Sequence, residues 1–304
     1  MLDETAAGVF TIAVTPFLPD GALDTDSIDR MVDFYVDKGA TGLTILGMMG
    51  EAGKLSAEEA VTVVRRVTAR TDLPVVVGVS APGFAAMGAL AAQAMEAGAA
   101  GVMVAPPATL KTDDAILAYY GQVAETLGQA PFVLQDFPLV TTVQVAPKVI
   151  LRVVEDCPTC VMLKHEDWPG LDKISALRRA EAAGARRISI LTGFGAQFLP
   201  EEMGRGADGA MTGYAFPEMM AEIVRLHRAG DHDAMFALHA AHLPLIRYES
   251  QPGIGLAVRK HVLARRGAIA HPTLRRPAPP LSPETVAEVD GMLARLERSL
   301  AALG

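Results

Sequence analysis

Short apolar runs alternate with longer amphipathic stretches along most of this chain. The runs begin near Val9, Leu43, Val75, Val102, Phe132, Val161, Ile188 and Ala210. Between them lie helical patterns over 25–38, 56–71, 84–97, 112–127, 145–155, 170–183, 195–203 and 217–229. The short runs read as strands buried on both faces, the periodic stretches as helices. A phrase recurs at the junctions. Gly39-Ala40-Thr41-Gly42, Gly98-Ala99-Ala100-Gly101 and Gly206-Ala207-Asp208-Gly209 each follow a helical stretch and precede a run, and Gly184-Ala185 is a fainter copy. The first glycine is expected to end its helix in the left-handed conformation, so that the chain turns at once into a strand. Helix starts carry caps, such as Ser56 with Glu59 three residues on, a capping box.

Strands alternating with helices imply parallel strands joined by right-handed crossovers. Eight such units predict an α/β fold, a closed (β/α)8 TIM barrel over residues 1–230, with a doubly wound open sheet as the alternative. Residues 231–304 break the alternation. Asp231 caps a helix toward Tyr248, another runs from about Gly253 to Arg266, and Pro277-Ala278-Pro279-Pro280 precedes a last helix. A C-terminal helical extension is predicted, covering the barrel or forming a subunit contact.

The chain's 304 residues suit one such barrel plus an extension, since these barrels commonly run near ~250 residues. Half the residues are apolar and 20% charged, which allows a large core. The net charge of -8 argues against nucleic acid or an anionic membrane as partner. Cys157 and Cys160 are the only cysteines. They exclude a disulfide framework, and they read as a turn entering a strand rather than a redox pair or half a metal site. Met1-Leu2-Asp3-Glu4 is acidic and no long uncharged apolar run follows, so a cytoplasmic protein without a signal peptide is expected. There is no Walker sequence, no Gly-x-Gly-x-x-Gly, no Gly-x-Ser-x-Gly and no histidine–carboxylate cluster at metal spacing. Neither a cofactor nor a metal is expected, and a small molecule is the expected partner.

In such a barrel the reacting groups lie at the C-terminal ends of the strands. Lys164 ends the apolar run Val161-Met162-Leu163, whereas Lys38, Lys54, Lys111, Lys148, Lys173 and Lys260 fall in loops or on helices. Burial disfavours the charged form of a lysine, and a free amine there can attack a ketone to give an imine. The alternative is a lysine that emerges into solvent or simply pairs with Glu166. Side chains alternate along a strand, so Lys164 and Glu166 share a face if the strand continues, and His165 faces away. A carboxylate at 166 could move protons beside an imine, or serve only as a salt-bridge partner. Gly47-Met48-Met49-Gly50-Glu51 is a tight loop after the second run, whose successive N–H groups could cradle a carboxylate.

These residues resemble the dihydrodipicolinate synthase/N-acetylneuraminate lyase family over nearly the whole chain, from Thr15-Pro16-Phe17 to the final helices. The resemblance implies a (β/α)8 barrel with a C-terminal helical extension, usually a homotetramer, here a tetramer or dimer. It puts Lys164 on the family's Schiff-base lysine and the Gly47–Glu51 loop on Gly-Thr-Thr-Gly-Glu, whose backbone holds the substrate carboxylate. The family's catalytic tyrosine at the end of strand five is here Gln135, in Gln135-Asp136-Phe137-Pro138. Met48 and Met49 replace two threonines. A second tyrosine, given across a subunit interface, is here Ala108, and the arginine that grips the second substrate of dihydrodipicolinate synthases is Val140. One branch, the L-2-keto-3-deoxyarabonate dehydratases, is similar in carrying Gln-Asp-x-Pro and Lys-x-Glu, and in Leu243-Pro244-Leu245-Ile246-Arg247-Tyr248-Glu249.

The resemblance implies a lyase that binds a 2-keto acid as a Schiff base, with dehydration of a 2-keto-3-deoxy sugar acid as the leading expectation. Lys164, Glu166 and Gln135 are its candidate catalytic residues; Met48, Met49, Gly50, Met211 and Thr212 are its candidate substrate-binding residues. The rivals are a pyruvate-dependent aldolase or dihydrodipicolinate synthase, and a non-catalytic keto-acid binding homologue.

Overall fold

The computed structural model describes residues 1–303. Eight parallel strands close into a barrel in sequential order: β1 (Gly8–Ile12), β2 (Gly42–Ile45), β3 (Val75–Gly78), β4 (Gly101–Val104), β5 (Phe132–Asp136), β6 (Cys160–His165), β7 (Ser189–Thr192) and β8 (Gly209–Ala210). The helices of the barrel are α1 (Thr25–Asp37), α2 (Ala57–Arg70), α3 (Phe84–Glu96), α4 (Asp113–Leu127), α5 (Pro138–Thr141), α6 (Pro147–Asp156), α7 (Leu171–Ala182), α8 (Leu199–Gly204) and α9 (Pro217–Ala229). Beyond them come α10 (His232–Glu249), α11 (Gly255–Arg265) and α12 (Pro283–Leu303). The open-sheet alternative falls, because β1 pairs with β8 through Gly8–Gly209 and Val9–Ala210.

Local chemistry accounts for most boundaries. Ser56 and Glu59 form the reciprocal capping box at the start of α2, and Asp231 caps α10 by accepting from the Ala234 N–H at 3.2 Å. The junction glycines Gly39, Gly98, Gly184 and Gly206 all have φ between 82° and 103°. The Cys157 carbonyl accepts from the Cys160 N–H at 2.8 Å, the turn that leads into β6. The predicted helix over 195–203 is broken. Phe194, Gly195 and Ala196 adopt left-handed φ of 53°, 69° and 63°, and α8 starts only at Leu199, with Pro200 in its first turn, where its missing N–H costs nothing. The helix expected from Gly253 starts at Gly255. The single turn α5 after Phe137 was not foreseen.

Alternation divides the strand residues into two cores. Phe10, Ile12, Val76, Met103, Val133, Met162, Leu191 and Met211 fill the barrel interior. Their neighbours Val9, Leu43, Val77, Val104, Leu134, Leu163 and Ile190 pack outward under the helices. The N-terminal segment plugs the bottom: Leu2 joins the inner core and its N–H donates to the Ala100 carbonyl at 2.8 Å. The interior is therefore filled mainly by apolar side chains below, and its buried charged and amide groups, Lys164 and Gln135, come toward the strand ends.

Closure depends on a close backbone approach. A Cβ on Gly209, whose φ is 151°, would lie 1.9 Å from the Gly8 carbonyl oxygen. Gly209→Ala is accordingly expected to destabilise the fold by on the order of 3 kcal/mol. Denaturant melts check this; a loss within experimental error would show that the β1–β8 seam can give way.

Candidate active site

β5 and β6 set the site. Their register places Gln135 opposite Lys164 and Asp136 opposite His165. The ladder continues past the last residue of β6: the Glu166 N–H donates to the Asp136 carbonyl at 2.8 Å, and the Gly193 N–H donates to the His165 carbonyl at 2.8 Å. The strand period therefore carries through Glu166, and Lys164 and Glu166 share the inner face. The Lys164 ammonium lies 2.9 Å from Glu166 Oε2. Gln135 Nε2 donates to the same oxygen at 2.7 Å. All three side chains are buried. Gly193 makes room for the carboxylate, since a Cβ there would lie 2.2 Å from Glu166 Cγ.

The outward-facing members of the same run do something else. His165 Nε2 meets the Gly170 carbonyl at 3.0 Å. Lys173, on α7, bridges Asp136 and Asp167 at 2.7 Å each. These pairs brace the back of β5 and β6. Glu202, on α8, is also buried on this side. Burial pushes its carboxyl up to about 7; the Thr192 hydroxyl and His165 pull it down, and the carboxylates of Glu201 and Glu166 push it further up.

The loop after β2 forms a tight 3-10 turn over Met48–Gly50. The N–H groups of Gly50 and Glu51 donate to the Gly47 and Met48 carbonyls at 3.0 Å each. The N–H groups of Met48 and Met49, in the first turn, have no acceptor within it. Met48 is 47% exposed, Gly50 is buried, and Met49 packs on the inner core that contains Met211. The Thr212 hydroxyl accepts from the Gly195 N–H at 2.8 Å and so fixes the turn over 194–196. The structure thus joins Lys164, Glu166 and Gln135 directly, sets Met49 and Met211 in one core, and turns the Thr212 hydroxyl to a structural bond.

Residues 5–296 match the model of the dihydrodipicolinate synthetase family. The chain belongs to that family. It is 32% identical over 296 residues to an L-2-keto-3-deoxyarabonate dehydratase of Azospirillum brasilense, covering 95% of this chain and 94% of the relative. It is equally 32% identical over 302 residues to a 4-hydroxy-tetrahydrodipicolinate synthase of Sorangium cellulosum, covering 96% of each. Among solved structures, a dihydrodipicolinate synthase from Rhodopseudomonas palustris superposes with a TM-score of 0.96 at 53% identity, covering 97% of this chain and 99% of that one. The chain is thus a lyase of the dihydrodipicolinate synthetase family. Among the described residues no helix is long and apolar enough to cross a membrane.

Sequence reasoning passed over two groups beside this family site. Lys260 was set aside with the other helical lysines, yet it is fully buried and reaches Glu51 at 2.6 Å. Its spacing was a usable signal, three residues after Ala257 and three before Leu263, on an otherwise buried stripe. Glu202 gave no comparable signal, because Glu201 and Glu202 look alike in the sequence.

Glu202 makes a pH prediction. An unfolded carboxyl ionises near 4.5, while the folded one keeps its proton to about 7. The native state then binds more protons over that window, so this group's contribution to stability is present below 4.5 and is lost as pH rises through about 7. Glu202→Gln should remove the loss. Urea melts at pH 5 and pH 8 are expected to show the variant gaining on the wild type by on the order of 2 kcal/mol at the higher pH. A pH-independent difference would contradict the assignment.

Proposed function

We propose that this lyase dehydrates 2-keto-3-deoxy sugar acids through an imine on Lys164. One observation carries the reading. At the end of β5, where the resemblance leads one to expect a tyrosine, an amide donates to the carboxylate that pairs with the lysine, Gln135 to Glu166 at 2.7 Å. An amide does not titrate near neutral pH and cannot serve as an acid or base there. Proton traffic therefore falls to Glu166, which is in contact with the Lys164 ammonium.

The chemistry follows from those contacts. The ammonium passes a proton to Glu166, and the free amine adds to the C2 ketone. Glu166 returns that proton to the carbinolamine hydroxyl, which leaves as water and gives the protonated imine; this acidifies C3. Glu166, a carboxylate again, takes the C3 proton directly or through a water; the C4–O bond breaks, and the departing hydroxyl leaves as water with a proton returned from Glu166. Water then adds at C2, the product is released, and the amine is restored. Gln135 orients Glu166 throughout. The Met48 and Met49 N–H groups hold the C1 carboxylate, with Gly50 allowing the close approach. Met211 lies in the floor beneath the ketone, and Thr212 steadies the turn over 194–196 at the rim. The working form we infer is a cytoplasmic homo-oligomer, a dimer or tetramer.

A synthase or aldolase built on the same imine is the second reading, favoured by the names of the Sorangium and Rhodopseudomonas relatives. Against it stands Val140, apolar and 52% exposed at the position where the resemblance calls for an arginine. A valine offers no donor to the carboxylate of a second substrate.

Borohydride added with a saturating 2-keto acid is expected to leave the reduced ligand's mass on Lys164, and Lys164→Ala to abolish it. An unmodified wild type would remove the imine. Glu166→Gln, which removes the acceptor of the lysine's proton, is expected to form the adduct more slowly but still to the same final mass, and to lose turnover by about 10²-fold or more. Across a panel of 2-keto-3-deoxy acids, dehydration should outpace condensation of pyruvate with aspartate semialdehyde. Brisk condensation with no dehydration would hand the assignment to the synthase.

A further inference from the structure

A second lysine is held inside the molecule, well separated from Lys164 in sequence. Lys260, on α11, is fully buried, with its ammonium 4.5 Å from the Phe17 ring centroid. Its donors go to the Glu51 carboxylate at 2.6 Å, the Thr15 carbonyl at 2.7 Å and the Thr273 carbonyl at 2.8 Å. A buried ammonium is tolerable when its donors are matched in this way. Burial pushes it down to about 8, against the pull of Glu51, which leaves it charged at neutral pH.

One partner of Lys260, Glu51, belongs to the loop assigned above to the substrate carboxylate, and a second, Thr15, is bonded to that loop. Glu51 closes that loop in the left-handed conformation, with φ of 53°. A residue other than glycine stays there only where its surroundings over-determine it. Here they do. Glu51 Oε2 receives Lys54 Nζ at 2.8 Å and the Arg275 N–H at 3.1 Å, while Oε1 receives Lys260. Thr15, whose carbonyl Lys260 holds, gives its hydroxyl to the Gly50 carbonyl at 2.5 Å. Two consecutive residues of the loop are thus secured through one ammonium. The local charge is unbalanced as well: among the described residues, the carboxylates paired with Lys260, Lys54 and Arg275 are Glu51 and Glu59.

We propose that Lys260 is a positioning residue for the C1 carboxylate of the substrate: through Glu51 and Thr15 it fixes the turn that presents the Met48 and Met49 N–H groups, and it supplies part of the positive charge beside that turn. The inference rests on the keto-acid reading of the site given above. It makes the C-terminal helices part of substrate recognition, since the ammonium arrives from α11.

The test compares two ketones. Wild type and Lys260→Met are incubated with borohydride and either pyruvate or hydroxyacetone, which has the ketone but no carboxylate. The concentration giving half-maximal adduct mass is read for each. Lys260→Met is expected to raise it about ten-fold or more for pyruvate and by less than about two-fold for hydroxyacetone, with the adduct at saturating pyruvate unchanged. A merely structural role would move both ketones together. Equal shifts, or no shift for pyruvate, would overturn the proposal. Glu51→Gln, nearly isosteric, provides the same comparison should the methionine variant not fold. A parallel arm uses Lys164→Ala protein, in which no imine can form, and reads pyruvate affinity by calorimetry with and without Lys260→Met. Loss of affinity there, with no adduct in the wild type, would sink the imine and uphold Lys260. Unchanged affinity would sink Lys260 alone, and no pyruvate binding by either the wild type or the Lys164→Ala protein would remove both.

Discussion

Lys164 and Glu166 meet at 2.9 Å inside the barrel, both almost wholly removed from solvent. Taking such a pair out of water costs several kcal/mol per ion, and their attraction offsets this only where the remaining lone pairs and donors are matched. The surrounding structure does that matching. Gln135 donates to the shared oxygen, Gly193 leaves the carboxylate its volume, and the Glu166 N–H bond to Asp136 fixes where the side chain starts. On the outer side of the same strand end, Lys173 bridges Asp136 and Asp167. The groups that would do chemistry are thus the groups that make their own burial tolerable. Deleting one partner would leave the other charged and alone, which couples reactivity to the integrity of β5 and β6.

Much of this was legible in the sequence because it depends on short-range periodicities. The period of two put Lys164 and Glu166 on one face and His165 on the other, and the ladder bonds beyond β6 are the physical reason that the period held. The Gly-Ala-x-Gly junctions were legible because a left-handed helix end has few residue solutions, and glycine is the least strained of them. The turn at Cys157–Cys160 was legible by exclusion, since nothing nearby could complete a metal or redox site.

What escaped was carried by contacts between segments far apart in the chain. Lys260 lies 209 positions from Glu51, and no local pattern links them. Glu202 is distinguished from Glu201 only by which side of α8 meets β7. The break before α8 comes from backbone strain at Phe194 and Ala196, residues with no intrinsic preference for that conformation, held there by bonds such as that from Gly195 to Thr212. Tertiary geometry overrode the apolar spacing that had suggested a continuous helix. Pro200, suited to a first helical turn, was the one local mark of the true start.

The plugged floor has a bearing on traffic. With Leu2 seated in the inner core and side chains stacked above it, the barrel is a blind tube rather than a channel. Anything that reaches Lys164 arrives at the strand ends, and anything released departs by the same mouth. A reaction that both expels water and later consumes it must then pass that water through the opening occupied by its own substrate. Under such a geometry arrivals and departures share one doorway, and the side chains framing it govern timing as well as fit.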